Sequence, residues 1–299
     1  MPSTASPHPF ANRTAHRYYL LDVFTDTPFA GNPLAVFTEA ETLDGATMAR
    51  IAGELNLSET VFITRHESPE RVHLRIFTPG CELPFAGHPT IGTACLLRAL
   101  GRHDGSSPLT LVEGVGDVPI HFDSNLARLI TAQPLNVRPS TLTPPQAAAV
   151  LGLDEAAIVG APVIASCGVP YHLIELTDRD QLARIELDSA VLKSCCPDPA
   201  TSYLYAFVDE GEYHLRARMF APLTGTPEDP ATGSAAAPLI GYLASRHKDT
   251  PVLDWQITQG VEMGRPSHIQ GRVERHGGGI SAIHIAGGAL VAGEGALYL

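Results

Sequence analysis

The sequence predicts an α+β fold of two pseudo-symmetric domains, and three observations carry that reading. Strand-forming runs alternate with a few apolar helices along the 299 residues. Three short motifs recur in the same order in the two halves. GNPLAVF (31 to 37) parallels GVPYHLI (168 to 174), RIFTP (75 to 79) parallels RMFAP (218 to 222), and HPTIGTA (88 to 94) parallels DPATGSA (229 to 235). The last two pairs are offset by 143 and 141 residues, so the repeating unit has the length of a domain and far exceeds a solenoid repeat. Two like domains facing each other place a ligand cleft between them.

The elements follow in order. YYLLDVFT and PLAVFTE are β-rich runs separated by the turn signal PFAGN. TMARIAGELN sets Met48, Ile51, Ala52 and Leu55 at helical spacing. ETVFITR and RVHLRIFT read as strands, and HPTIGTACLLRALG as a buried helix closed by glycine. In the second half IASCGVPYHLIEL reads as strand-turn-strand and QLARIELDSAVLKSC as helix. TSYLYAFV and YHLRARMFA are strands, and GSAAAPLIGYLASR is a second apolar helix. RPSTLTPPQ (138 to 146) is the expected seam, and the stretch from Ile280 to Leu299 reads as strands open to either half.

Composition narrows the function. An apolar fraction of 44% with 17% charged residues describes a globular chain with a real core. A net charge of −12, with no basic stripe, argues against nucleic acid as a partner. No run of 18 apolar residues suggests a membrane span, and residues 1 to 16 lack a signal-peptide core. Five cysteines, odd in number and without a CxxC pair, fit a reducing cytoplasm better than a disulfide framework. The 13 histidines show no ligand spacing, so no metal is expected. TGTPEDPATGS lacks the ending of a phosphate loop, and ATGSA is not a nucleophile elbow.

The chemistry is expected at two loop-to-helix junctions. Each brings a polar residue (His88 or Asp229), a proline, then a Gly-Thr/Ser-Ala helix start. Proline suits a first helical turn, and unpaired N–H groups there attract carboxylates. Two such starts converging on one cleft would grip an acidic substrate and stabilise charge developing on it. The bland alternative is that His88 and Asp229 only cap helices while Thr93 and Ser234 pack. Glu59, in LNLSETVF, is either a solvated residue beside a helix or a partly buried acid whose raised pKa suits proton transfer. Its counterpart in TSYLYAF is tyrosine or leucine, so the two walls of the cleft differ there.

LDVFTDTPFAGNPLAVF, LNLSETVF, RIFTPGCELPFAGHPTIGTA, GVPY and EDPATGSA together resemble the phenazine-biosynthesis PhzF-like proteins, from Tyr18 to near the C-terminus. The resemblance implies a diaminopimelate-epimerase-like fold: two domains, each a sheet wrapped around a central helix, with the site between. The expected boundaries are a flexible extension over 1–16, domains over 17–137 and 138–285, and terminal strands over 286–299 returning to the first domain.

The resemblance also implies a cofactor-independent isomerase, working as a homodimer on a small carboxylate-bearing substrate of the dihydro-hydroxyanthranilate kind. Glu59 would move the proton, with His88 and Asp229 as its catalytic partners. Ser58, Gly87, Gly92, Thr93, Gly233 and Ser234 would bind substrate. Related epimerases use one cysteine from each junction, whereas His88 and Asp229 stand at those places, so a two-thiol mechanism is not expected. Two other readings remain: isomerisation or epimerisation of another unsaturated amino or imino acid, and a non-catalytic binding protein.

Overall fold

The structure, a computed structural model, describes residues 12–247 and 250–299. Its strands form one continuous hydrogen-bonded ladder that passes through both halves. In the first half, Ala15–Val23 pairs with Asn32–Phe37, which runs parallel to Glu59–Ser68. Arg71–Phe77, Leu109–Glu113, Gly116–Asp123 and Leu126–Ile130 follow. The second half repeats that order. Val163–Ser166 pairs with Pro170–Glu175, parallel to Leu204–Asp209, and then come His214–Ala221, Val252–Gln259, Ser267–His276 and Gly279–Gly287.

A parallel pair needs a crossover, and a helical insertion supplies it in each half. Gly45–Leu55 lies between the first such pair, where Met48, Ile51 and Ala52 pack on Phe37, Phe62 and Phe77. Asp44 caps its start by accepting from the Thr47 N–H at 2.7 Å. Arg179–Ala183 and Ser189–Cys195 lie between the second pair.

Each sheet wraps a nearly all-buried helix, Gly87–Ala99 in the first half and Gly233–Ala244 in the second. Such helices are apolar on every side because no face meets water. The fold is therefore α+β, with two pseudo-symmetric halves each built as a sheet around a central helix. One apolar cluster links Ile91, Leu96 and Leu97 of the first helix with Leu239, Ile240 and Leu243 of the second.

The halves are tied by exchanged strands. Leu126–Ile130 and Gly279–Gly287, the last sheet strand of each half, pair with each other. The chain then crosses over both times: Asn136–Pro139 pairs with Val163–Ser166 in the second half, and Ala289–Tyr298 pairs with Ala15–Val23 in the first. Arg265 adds a side-chain clamp, donating to the carbonyls of Ala30 and Gly31, both at 2.7 Å, and to Asp22.

Several expectations need correction. QLARIELDSAVLKSC is not one helix, because its middle docks elsewhere: the N–H groups of Glu186 and Asp188 donate to Leu151 and Val150, and Asp188 then caps a new helix. The seam at 138–146 is not a plain linker, since it holds the end of an exchanged strand and the start of the helix Pro144–Leu151. Of the extension at 1–16, residues 1–11 lie outside the described residues. Thr14 exchanges backbone hydrogen bonds with Leu299, and Ala15 and His16 already belong to the sheet. The strand Gly279–Gly287 runs through the expected boundary at 285 and 286. The strands over 109–130 and 252–276 carried no reading in advance.

Gly92 tests how closely the first central helix is packed. A Cβ there would stand 2.6 Å from Leu34 Cδ2 and 2.7 Å from Val23 Cγ2, both on fully buried side chains with nowhere to swing. Gly92→Ala should therefore lower stability by about 1–3 kcal/mol in urea unfolding, despite alanine's better helix propensity.

Candidate functional site

The two central helices point their N-terminal ends at one another. A Cβ on Gly87 would lie 3.8 Å from the Ser234 nitrogen and 3.9 Å from Gly233 Cα, so the two backbones nearly touch. Around this meeting point stand Glu59, His88 and Asp229. Glu59 is the first residue of its strand, placed by a helix that ends at Asn56 in a left-handed turn and by parallel pairing with Leu34. His88 is the second residue of the first central helix. Asp229 ends the short strand Thr226–Asp229, four residues before the second central helix begins.

His88 Nε2 lies 3.4 Å from Glu59 Oε2, and neither atom has a hydrogen-bond partner. Asp229 is held firmly: Asn32 Nδ2 donates to its Oδ1 at 2.9 Å and the Thr232 hydroxyl to its Oδ2 at 2.5 Å. Asn32 Nδ2 also donates to the Ala231 carbonyl at 3.0 Å and stands 3.4 Å from His88 Nδ1. Gln259 closes the rear of the site. Its Nε2 donates to the Asp229 carbonyl and the Thr232 hydroxyl, and its Oε1 accepts from the Tyr205 hydroxyl. On the opposite side the Tyr171 hydroxyl meets Ser234 Oγ at 2.7 Å.

Burial sets the protonation states. It pushes the Glu59 carboxyl up to about 8, with the charge of Asp229 adding to the rise. It pulls His88 down to about 3, so the ring is neutral at ordinary pH. Asp229 is raised by burial to about 6, with its bonds from Thr232 and Asn32 opposing the shift. Behind the first helix start, the Thr90 hydroxyl lies 2.7 Å from both the Ala86 carbonyl and Glu113 Oε1. Burial raises the Glu113 carboxyl to about 8, with the Thr90 hydroxyl bond opposing the shift.

The remaining residues expected from sequence fall into two groups. Gly87, Gly233 and Ser234 stand at the helix starts, where the first N–H groups have no intrahelical acceptor. Gly92 and Thr93 do not. The repeat aligns Gly92 with Gly233, but the first helix begins more than a turn earlier relative to that alignment. Gly92 therefore serves close helix-to-strand packing, and Thr93 is fully buried inside the helix. Ser58 is half-buried just before Glu59.

Sequence reasoning missed Asn32, Tyr171, Thr232 and Gln259. The repeat itself held a signal for two of them, since it aligns Asn32 with Val169 and Tyr171 with Leu34, polar against apolar. Among the described residues, no three His, Cys, Asp or Glu side chains gather as a cation site requires. No described helix is long and apolar enough to cross a membrane.

Two like domains thus bring their polar groups together where their central helices meet. The chain belongs to the phenazine biosynthesis-like (PhzC-PhzF) family, whose profile matches residues 21–295. It is 37% identical, over 95% of its length and all of the relative's, to trans-2,3-dihydro-3-hydroxyanthranilate isomerase of Pseudomonas aeruginosa. It is 38% identical, over 94% of its length and 98% of the relative's, to an uncharacterized isomerase of Mesorhizobium japonicum. In three dimensions it resembles a PhzF-family phenazine biosynthesis protein of Bacillus anthracis, with TM-score 0.87 and 23% identity over 96% of this chain and all of that one. It is an isomerase of this family.

The shifted carboxyls and the buried histidine predict how stability depends on pH. Glu59 and Glu113 have folded pKa values above their unfolded ones, so the native state holds extra protons between about pH 4.5 and 8. Stability falls as pH rises through that window. His88 acts oppositely, being stabilising above about 6.5 and losing that contribution as pH falls towards 3. Glu59→Gln and Glu113→Gln should each be more stable than wild type at pH 9, by up to about 5 kcal/mol at roughly 1.4 kcal/mol per pKa unit, and close to wild type near pH 4. Urea unfolding across pH measures this directly.

Proposed function

We propose that this isomerase moves a proton between carbons of a small unsaturated or cyclic amino or hydroxy carboxylic acid of the dihydro-hydroxyanthranilate kind, without a cofactor. The observation that carries the reading is the pair of unpartnered buried atoms, Glu59 Oε2 and His88 Nε2, beside two converging helix starts. Buried polar groups are normally paired, so two that face each other without a bond are set to tighten when a substrate binds. The identity to a relative named for that substrate supports the choice. The similar identity to an isomerase with no named substrate favours, as a second reading, another unsaturated amino or imino acid.

In the reaction, the Glu59 carboxylate removes a proton from an sp3 carbon next to the conjugated system. The C–H electron pair enters the π-system, and the charge spreads towards the substrate carboxylate. The N–H groups of Gly87, His88, Gly233 and Ser234, with the Ser234 hydroxyl, hold that carboxylate. Asp229, ionised at neutral pH, attracts the substrate's amino group, and His88 orients the glutamate. Glu59 then returns the proton to another carbon of the same system. Nothing is oxidised or reduced. A pKa near 8 keeps Glu59 within about a unit of working pH, the condition for a group that must both take and give a proton. A homodimer, on the family resemblance, and a cytoplasmic setting, on cysteine usage, belong to the same proposal.

Turnover of trans-2,3-dihydro-3-hydroxyanthranilate in deuterated water tests this. Wild type should isomerise it, with kcat/KM rising with pH towards about 8 as the carboxylate form of Glu59 fills. Glu59→Gln should lose activity by at least about 10²-fold while still binding a substrate analogue. Full deuterium incorporation by Glu59→Gln would remove Glu59 from the proton path, and inert wild type would turn attention to the second reading.

A further inference from the structure

Asn32 is fully buried at the meeting of the two halves, and hydrogen accounting around it fixes more than its own position. Its side-chain nitrogen lies 2.9 Å from Asp229 Oδ1 and 3.0 Å from the Ala231 carbonyl oxygen. A carbonyl can only accept, and so can an ionised carboxylate. The amide must therefore present its NH2 group on this side, because a flipped amide would set oxygen against oxygen. Its two hydrogens go to those two acceptors.

The third neighbour of the NH2 group is His88 Nδ1, at 3.4 Å. A hydrogen on Nδ1 would point at a group that only donates. The ring is neutral, since burial holds its pKa far below neutrality, so its single hydrogen belongs on Nε2. That nitrogen faces Glu59 Oε2 at 3.4 Å. We propose that Asn32 is a positioning residue of the isomerase: it selects the Nε2–H tautomer of His88 while anchoring Asp229, and so aims a donor at one oxygen of Glu59.

The consequence for the reaction, which rests on the proton-transfer reading above, is a division of labour within one carboxyl group. Oε2 is buried and faces the His88 N–H at 3.4 Å, which leaves Oε1 to take the substrate proton and return it. The same amide bonds Asp229 and Ala231 of the second junction and faces His88 of the first, so one side chain meets both walls of the cleft. The loop before Asn32 is fixed in turn by Arg265 on Ala30 and Gly31, and by the Gly31 N–H donating to the Pro266 carbonyl.

Nitrogen-15 spectra of the substrate-free protein test the assignment, with His88→Gln identifying the resonance. Wild type should show the Nε2–H tautomer, and an Nδ1–H ring overturns the inference. Asn32→Leu removes the donor at similar size; the His88 ring should then lose its single tautomer, with kcat falling on the order of 10²-fold and KM staying within about twofold. A tautomer unchanged in Asn32→Leu, or a rise in KM with kcat intact, overturns it as well. If Asn32→Leu does not fold, the wild-type spectrum alone decides. The ring is read without substrate, so a failure to isomerise the dihydro compound counts against the proposed substrate and leaves this inference standing.

Discussion

Two helix N-termini held against each other constrain everything near them. Each presents unpaired N–H groups and the positive end of a macrodipole, so their approach is unfavourable unless negative charge lies close by. The two starts come close at Gly87, where an added Cβ would make ordinary contact with the Ser234 nitrogen and Gly233 Cα. Asp229 lies just before one start and Glu59 beside the other, and a substrate carboxylate would complete the compensation. The same confinement withdraws both acids from water and raises their pKa values, so they relieve the positive ends only in part. An empty cleft of this kind favours an anion before any side chain makes a specific contact.

Keeping two such ends together requires halves that cannot drift apart, and the strand exchange provides this. Three pairings cross between the halves: Leu126–Ile130 with Gly279–Gly287, Asn136–Pro139 with Val163–Ser166, and Ala289–Tyr298 with Ala15–Val23. Opening the cleft as a hinge would break several backbone hydrogen bonds at once. Arg265 reinforces the tie where it matters, since the backbone it grips leads straight into Asn32. The precision of the site thus derives from the topology of the sheet as well as from local packing.

The scaffold was legible in the sequence because it was written twice. Recurring Gly-x-Pro, Arg-x-Phe and Pro-x-x-Gly patterns located the first strands and both central helices, and Glu59, His88 and Asp229 followed from the motifs around them. Helix register within the repeat was less legible. Aligning Gly92 with Gly233 suggested equal roles, yet where a helix starts depends on which N–H groups find acceptors, and the two loops differ in that respect. Hairpin strands such as Leu109–Glu113 and Val252–Gln259 have no copy that a motif could flag. Gln259, at the end of one of them, becomes part of the site only through tertiary packing.

The pseudo-symmetry also bears on the proposal that the proton work sits on one side. Strand register sets Thr60 opposite Phe77 in the first half and Leu204 opposite Phe220 in the second, so Glu59 corresponds to Tyr203. By the same register Leu34, next to Glu59, corresponds to Tyr171. The second half thus replaces a carboxyl with phenols, and burial drives the Tyr171 hydroxyl far above neutrality, where it can donate but cannot act as a base. Asn32 has only Val169 as counterpart, so the proposed tautomer control would also lie in the first half. A symmetric pair of acids, as in a two-base racemase, would take a proton from one face and deliver it to the other. One acid opposed by groups that only bind must return the proton on the face from which it took it, and that restriction fits migration along a substrate better than inversion at a single carbon.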